Sequence, residues 1–235
     1  MLNKIKEEII TFDVDWAPEE AIQYSIDLVL ESNSKATFFA THPSKVLKKY
    51  LDSDQIEVGI HPNYYKSTNF EQLIDELLNH YPEATSVRAH GLYSSSNIVK
   101  LYEKKGFKCC LDVFLPGHEN LQPVWRFGVG SILLIPYFWE DGNHFTYKPK
   151  IDFNSCTNSV YDGMRIFNFH PIHVYANTES SEHYQAIRPY NQDSDQVLKR
   201  RGDSGIKDVL ELLLKKYNPK NRIKDIYEIA TASRT

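Results

Sequence analysis

Two aspartates one residue apart close the stretch Ile9-Ile10-Thr11-Phe12-Asp13-Val14-Asp15-Trp16, whose β-branched and aromatic residues read as a buried strand. Side chains at i and i+2 of a strand share a face, so Asp13 and Asp15 are expected to project together. Two carboxylates at such a place repel each other unless positive charge lies beside them, and a metal ion, or an arginine plus a metal, meets that need. The alternative is that one aspartate caps the helix after Pro18 and the other is solvated. Further polar groups suited to acid–base or ligand chemistry stand where later apolar runs stop: His61, Arg88 with His90, Asp112, and His170.

The elements that must carry these groups alternate. Pro18-Glu19-Glu20 opens a helix to about residue 32, since an early proline and first-turn acids favour a helix N-terminus. A second strand is expected over 36–40, a short helix over 44–51, a third strand over 56–61 and a helix over 70–80. A fourth strand follows over 86–90. Serines 94–96 and Asn97 supply cap chemistry for a helix that Gly106 stops. Strands are expected over 107–114, 131–138 and 164–170. The last helix is expected over 205–217, capped by Asp203 or Ser204. This βαβα rhythm argues an α/β fold, a parallel sheet or barrel with helices outside. In such folds chemistry collects at the carboxyl ends of the strands, where the groups named above fall. The polar segment 176–202 reads as a long loop, either a surface excursion or a functional one in which Tyr184 and Tyr190 stack on a sugar ring.

Composition narrows the classes. The 235 residues are 41% hydrophobic and 25% charged with net charge −4, which fits a soluble globular chain and argues against a nucleic-acid surface. Lys199-Arg200-Arg201 is too short a basic run to change that. The 15 tyrosines and 12 phenylalanines suit a core with wet aromatic rims. Three cysteines, of which Cys109 and Cys110 are adjacent in an apolar run, make no disulfide framework and read as core thiols of a reducing compartment. No apolar run approaches the roughly 20 residues of a membrane span. The first residues lack an apolar signal core, so a cytoplasmic location is expected.

Taken together, Thr11-Phe12-Asp13-Val14-Asp15, Glu57-Val58-Gly59-Ile60-His61-Pro62, Arg88-Ala89-His90 and Ile166-Phe167-Asn168-Phe169-His170 resemble, in order and spacing, the motifs of the polysaccharide deacetylases, the carbohydrate esterase 4-like group. The resemblance covers roughly residues 9 to 173. It implies a single catalytic domain over 1–235 with a distorted (β/α)7-type barrel. It also implies that Asp13 is the general base, Arg88 the residue that orients it, His170 the acid that protonates the leaving amine, and Asp15 and His61 metal ligands. The family's two aspartates are adjacent, whereas Val14 separates them here. The family's second metal histidine lies four residues after the first, and Tyr65 stands at that position. A catalytic zinc takes three protein ligands, and His90, two residues past Arg88, is the candidate for the third. Asp112, at a strand end, is expected to orient His170 and raise its pKa. His173 is expected either to touch substrate or to lie on the surface.

What the resemblance implies is hydrolysis of an N-acyl group, N-acetyl first, from a sugar or saccharide in surface-polysaccharide synthesis. The cofactor is a divalent metal, zinc first among the candidates. Two other functions stay open: an amidase for a small acyl compound, and a sugar-binding relative that has lost the metal, which Tyr65 favours.

Overall fold

The computed structural model describes residues 4–126, 132–148, 150–153 and 162–233. Apolar runs form β1 (Glu8–Asp13), β2 (Ala36–Ala40), β3 (Ile56–Ile60) and β9 (Arg165–Phe169). Between them lie the two-residue strands β4 (Ser86–Val87), β5 (Cys109–Cys110), β6 (Val124–Trp125), β7 (Leu133–Leu134) and β8 (Trp139–Glu140). The described strands make one sheet in the order β6-β7-β5-β4-β3-β2-β1-β9-β8. It is parallel except where β6 meets β7.

The run 133–140 is what curls this sheet. Its first half pairs with β5, Tyr137 bonds to the main chain of Val113 and Leu115, and Phe138 and β8 then pair with β9. One continuous segment thus meets both flanks of the β5-β4-β3-β2-β1-β9 array, which makes the distorted barrel expected from the sequence. Ser131, where that strand was expected to begin, lies outside the described residues.

Period-2 alternation divides the core in two. Ile9, Phe39, Leu111, Leu133, Tyr137 and Ile166 share a cluster inside the curl. Ile10, Phe12 and Phe38 instead join the outer cluster with Ile22, Ile26 and Val29 of α1 (Glu19–Glu31). Helices α2 (Phe70–His80) and α3 (Ser96–Lys104) start at side-chain caps, Asn69 accepting from Gln72 N and Ser95 from Ile98 N.

Several expectations change. Residues 44–51 make only a 3-10 turn at Leu47–Tyr50. The region 176–202 is not a bare loop. After α4 (Asp141–Tyr147) and α5 (Pro171–Ala176) it folds into α6 (Ser181–Ile187), a 3-10 turn at Arg188–Tyr190 and α7 (Ser194–Leu198). Its tyrosines are engaged within the protein: Tyr184 packs on the His173 ring at 4.4 Å, and the Arg200 guanidinium lies 3.9 Å over Tyr190. Helix α8 (Ile206–Tyr217) begins at Gly205, whose N–H the Asp208 carboxylate accepts, while the N–H groups of Asp203 and Ser204 go to Glu179. It is also not the last helix. In α9 (Ile223–Ala232), Ile223, Ile226 and Ala230 close the amino-terminal end of the inner cluster. The Thr37 hydroxyl accepts Ile223 N at 3.0 Å, and the buried Glu57 carboxylate accepts Lys224 N at 2.9 Å together with the Thr37 and Ser86 hydroxyls. Cys109 and Cys110 are buried free thiols. No helix among the described residues is long and apolar enough to cross a membrane.

Gly59 sits where β2, β3 and β4 press together. A Cβ there would come within 2.5 Å of Ser86 Oγ, and 2.8 Å of both the Phe39 ring and the Ser86 carbonyl. Gly59→Ala is therefore expected to destabilise by roughly 2–3 kcal/mol through overpacking. A thermal-unfolding midpoint lowered by about 5–10 °C would register it.

Candidate active site

At the carboxyl end of the curl the inward-facing residues turn polar. Thr11 and Asp13 continue the inner face of β1 beyond Ile9, and Asn168 continues that of β9 beyond Ile166. Just past the ends of β3 and β4 come His61 and Arg88. Arg88 is fully buried, its guanidinium between the Phe39 and Tyr137 rings at 4.5 Å from each. Arg88 Nη1 donates to Asp13 Oδ1 at 2.9 Å and Nη2 to Thr11 Oγ1 at 3.1 Å. Asn168 Nδ2 donates to Asp13 Oδ2 at 2.8 Å, while its own oxygen accepts from Arg88 and from the Thr11 hydroxyl. Burial alone would raise the Asp13 pKa. The charges of Arg88, His61 and His170 outweigh it and hold the carboxyl below its ordinary value.

Asp15 reaches the same place by another route than strand alternation. β1 ends at Asp13, and a turn closed by Ala17 N to Val14 O at 3.0 Å puts Asp15 in the left-handed region at φ +47°. The two carboxylates still converge on one ring: His61 Nδ1 lies 3.7 Å from Asp13 Oδ1, and its Nε2 lies 3.4 Å from Asp15 Oδ1. His90 Nδ1 is 3.0 Å from the same Asp15 oxygen and 3.3 Å from His61 Nε2. Tetrahedral zinc with ligands at about 2.0–2.1 Å has ligand–ligand edges of about 3.3 Å. The three donor atoms thus stand at the spacing of three corners of such a shell, and a divalent ion fits them. The His61 tautomer agrees. Its Nδ1–H donates to the Arg88 carbonyl at 2.7 Å, which turns the Nε2 lone pair toward Asp15 and His90. Burial works against a charged His61, yet Asp13 and Asp15 raise its pKa, so the pair of carboxylates draws positive charge to this point. Tyr65 is not among the donors. It is 66% exposed, its ring edge-on to Tyr93.

His170 closes β9 with its Nε2 3.7 Å from Asp15 Oδ2. The carboxylate that holds it is Asp141, not Asp112. Asp141 Oδ1 accepts from His170 Nδ1 at 2.6 Å, Oδ2 accepts from His170 N at 2.8 Å, and Oδ1 also takes Gly142 N. Burial would lower the His170 pKa, but the charge and hydrogen bond of Asp141 raise it well above the ordinary value. Asp112 fails for a reason of parity. Cys109 and Leu111 face the inner cluster, so Cys110 and Asp112 face outward, beneath the helices. There Asp112 Oδ1 accepts Ala89 N at 2.6 Å and Oδ2 has no partner. His173 is buried beside His170, with Nδ1 on the Thr178 hydroxyl at 3.1 Å, and burial pushes its pKa down to about 4. It could form a second ligand-type group with Asp141 and His170. Asp141 is already filled by three N–H donors, which marks that group as an orienting cluster.

Asp13, His61, His90 and His170 line a cleft of about 370 Å³ with Leu92 and Phe114. Glu140 also lines it, accepting from Tyr137 Oη at 2.7 Å and Asn143 Nδ2 at 3.0 Å. Asp141, Asn168, Thr11, Tyr137 and Glu140 carry no role in the sequence reading. Asn168 was findable as the same-face neighbour of His170 on its strand. Asp141 was findable by extending the apolar run past Phe138 to where it stops.

A curled, largely parallel sheet ringed by helices is the architecture the chain shares with structures of polysaccharide deacetylases. A family model described as WbmS-like polysaccharide deacetylase matches residues 10–188, and the chain belongs to that family. It is similar to a structure from Bordetella bronchiseptica, WbmS, named as a polysaccharide deacetylase involved in O-antigen biosynthesis. That chain is 30% identical, with 89% of this chain and 90% of that one covered and a TM-score of 0.81. Two further structures share the fold: a protein named as a polysaccharide deacetylase from Mycobacterium smegmatis (14% identity, 100% and 96% covered, TM-score 0.60) and the peptidoglycan deacetylase PdaC from Bacillus subtilis (12%, 99% and 94%, 0.51). No curated protein matches the chain.

The buried Asp112 yields a stability test. Burial lifts its pKa from 3.8 to about 6, so the folded state holds a proton that the unfolded state has released. Stability is then greatest below the unfolded pKa, falls as pH rises through that window, and is flat above about 6. Asp112→Asn keeps the acceptor for Ala89 N and removes the titration. Denaturant unfolding across the window is expected to show the variant gaining on the parent by roughly 2–3 kcal/mol as pH rises.

Proposed function

We propose that the chain is a metal-dependent hydrolase that removes an N-acyl group, acetyl first among the candidates, from a sugar or saccharide in surface-polysaccharide synthesis. The observation that carries this reading is the convergence of Asp15, His61 and His90 at ligand spacing, between an arginine-held carboxylate on one side and a carboxylate-held histidine on the other. Family membership and the O-antigen assignment of the Bordetella relative support the substrate class. The two buried free thiols accord with a cytoplasmic location.

Asp15, His61 and His90 would hold the ion, zinc by its donor set. When bound, it supplies Lewis acidity toward the acyl oxygen and the attacking water. The chain does the rest. Asp13, kept ionised by Arg88 and oriented by Asn168, takes a proton from the water as its oxygen attacks the acyl carbon. His170 enters as imidazolium with its Nδ1–H anchored on Asp141. Its Nε2 proton goes to the amide nitrogen as the C–N bond breaks, because an unprotonated amine leaves poorly. The products are a carboxylate and a free amino sugar. The competing reading, a sugar-binding relative without metal, rests on Tyr65 in place of the usual histidine.

Metal analysis of chelator-free, zinc-resupplied protein separates the two. The expected result is one ion per chain, with binding weakened at least about 10-fold in His90→Ala. A parent protein that takes up no ion would favour the binding module.

His170→Asn is expected to keep the metal and the fold while losing about 100- to 10,000-fold in turnover of an N-acetylated saccharide. In the parent, the raised His170 pKa keeps the acid charged through neutrality, so activity should fall on the alkaline side, well above pH 6.5, as the ring loses its proton. The lowered Asp13 pKa keeps the base ionised down to below 3.8, so no acidic limb is expected near neutrality. Parental rates in His170→Asn would remove His170 as the acid.

A further inference from the structure

We infer that Thr41, His42 and Gln192 are positioning residues that hold the turn from which Asp15 reaches His61 and His90, an inference that rests on the metal-centre reading above. Asp15 occupies the left-handed region at φ +47°, which a residue with a side chain enters at a cost and keeps only where its surroundings insist. The surroundings here are three side chains from two separate segments. Thr41 Oγ1 and His42 Nδ1 both donate to the Asp15 carbonyl, the histidine at 2.9 Å, and Gln192 Nε2 donates to the carbonyl of Trp16. A carbonyl only accepts, so the His42 proton is fixed on Nδ1.

Two consecutive carbonyls of the turn are therefore gripped from outside, which sets the plane of the Asp15–Trp16 peptide and with it the direction of the Asp15 carboxylate. The same turn aims Trp16, whose ring stands edge-on to His90 at 5.1 Å. None of the three donors lines the reaction cleft, so their effect on the ligand passes through the backbone. Gln192 belongs to the excursion between α6 and α7. Just past α7, Arg201 pins the wider segment 176–202 to the barrel, its guanidinium donating to Tyr24 Oη on α1 at 2.6 Å. The segment expected from the sequence to be a loop, whether a surface excursion or a substrate contact, thus acts on the metal ligand from behind.

The test uses the full chain and zinc alone, titrated in competition with a chromophoric chelator, beside the unfolding midpoint of the metal-free protein. Thr41→Val and His42→Ala are each expected to weaken zinc binding about 10-fold or more, the range for residues that orient a ligand, with the metal-free midpoint near that of the parent. Thr41→Ser, which restores the hydroxyl, should recover most of the loss. Gln192→Ala changes an exposed side chain and keeps the question decidable if His42→Ala does not fold; it should weaken binding in the same direction. Parental affinity in Thr41→Val and Gln192→Ala would overturn the positioning role, as would Thr41→Ser falling as far as Thr41→Val. So would a loss of affinity that only tracks a loss of metal-free stability. A parent that binds no zinc would instead remove the metal reading, and the positioning role with it.

Discussion

A guanidinium with no exposed surface, clamped between two aromatic rings, governs the charge of the cleft. Asp13 is almost as deeply buried, and an isolated carboxylate there would take up a proton rather than stay ionised. Arg88 reverses that outcome with a direct hydrogen bond and also donates from its Nη atoms to Asn168 and Thr11, while Asn168 Nδ2 fixes the second carboxylate oxygen of Asp13. Such a pair does not add much to stability, since desolvating both charges offsets most of their attraction. What it secures is a defined geometry and protonation state at one point.

Charge balance extends outward from there. Asp13, Asp15, Glu140 and Asp141 gather within one site with Arg88 as their permanent counter-charge. A proton on His170 answers one of them, which is why that ring binds its proton tightly despite burial. Two negative charges are then left over, the number a divalent ion beside Asp15 cancels. Burial raises the Glu140 pKa, so that carboxyl takes up a proton more readily than an exposed glutamate would.

Much of this was legible because the rule that chemistry collects at strand ends needs only the end of each apolar run. It located Asp13, Asp15, His61, Arg88, His90 and His170, which the fold does bring together. The same rule failed at Asp112 because it ignores parity: a strand end has two sides, and Cys110 and Asp112 alternate with Leu111 onto the outer one. It missed Asp141 because that strand is expected to end at Phe138, whereas the run continues through Trp139 and changes partners from β5 to β9 before it stops. The closing helix α9 was hidden for a related reason. Its buried apolar residues Ile223, Ile226 and Ala230 are few, and its first turn is held by residues far away in the chain, Ile223 by Thr37 and Cys109 and Lys224 N by Glu57.

The departure at Tyr65 is easiest to understand from the β4 segment. Residues 88 and 90 extend beyond the strand on one side, so one short stretch delivers both the arginine that holds Asp13 and the histidine that meets Asp15. A ligand supplied four residues after His61 would depend on the conformation of the loop that now carries the exposed Tyr65. A ligand at His90 depends instead on backbone that is already fixed: His90 N donates to the Pro62 carbonyl, Ala89 N to Asp112, and the Arg88 carbonyl accepts from His61. Asp112, though absent from the cleft, thus gains a structural reason for its costly burial, since its carboxylate anchors the peptide between Arg88 and His90. With donor, base-holder and anchor on consecutive residues, any shift of this segment moves Asp13's counter-charge and the third ligand together.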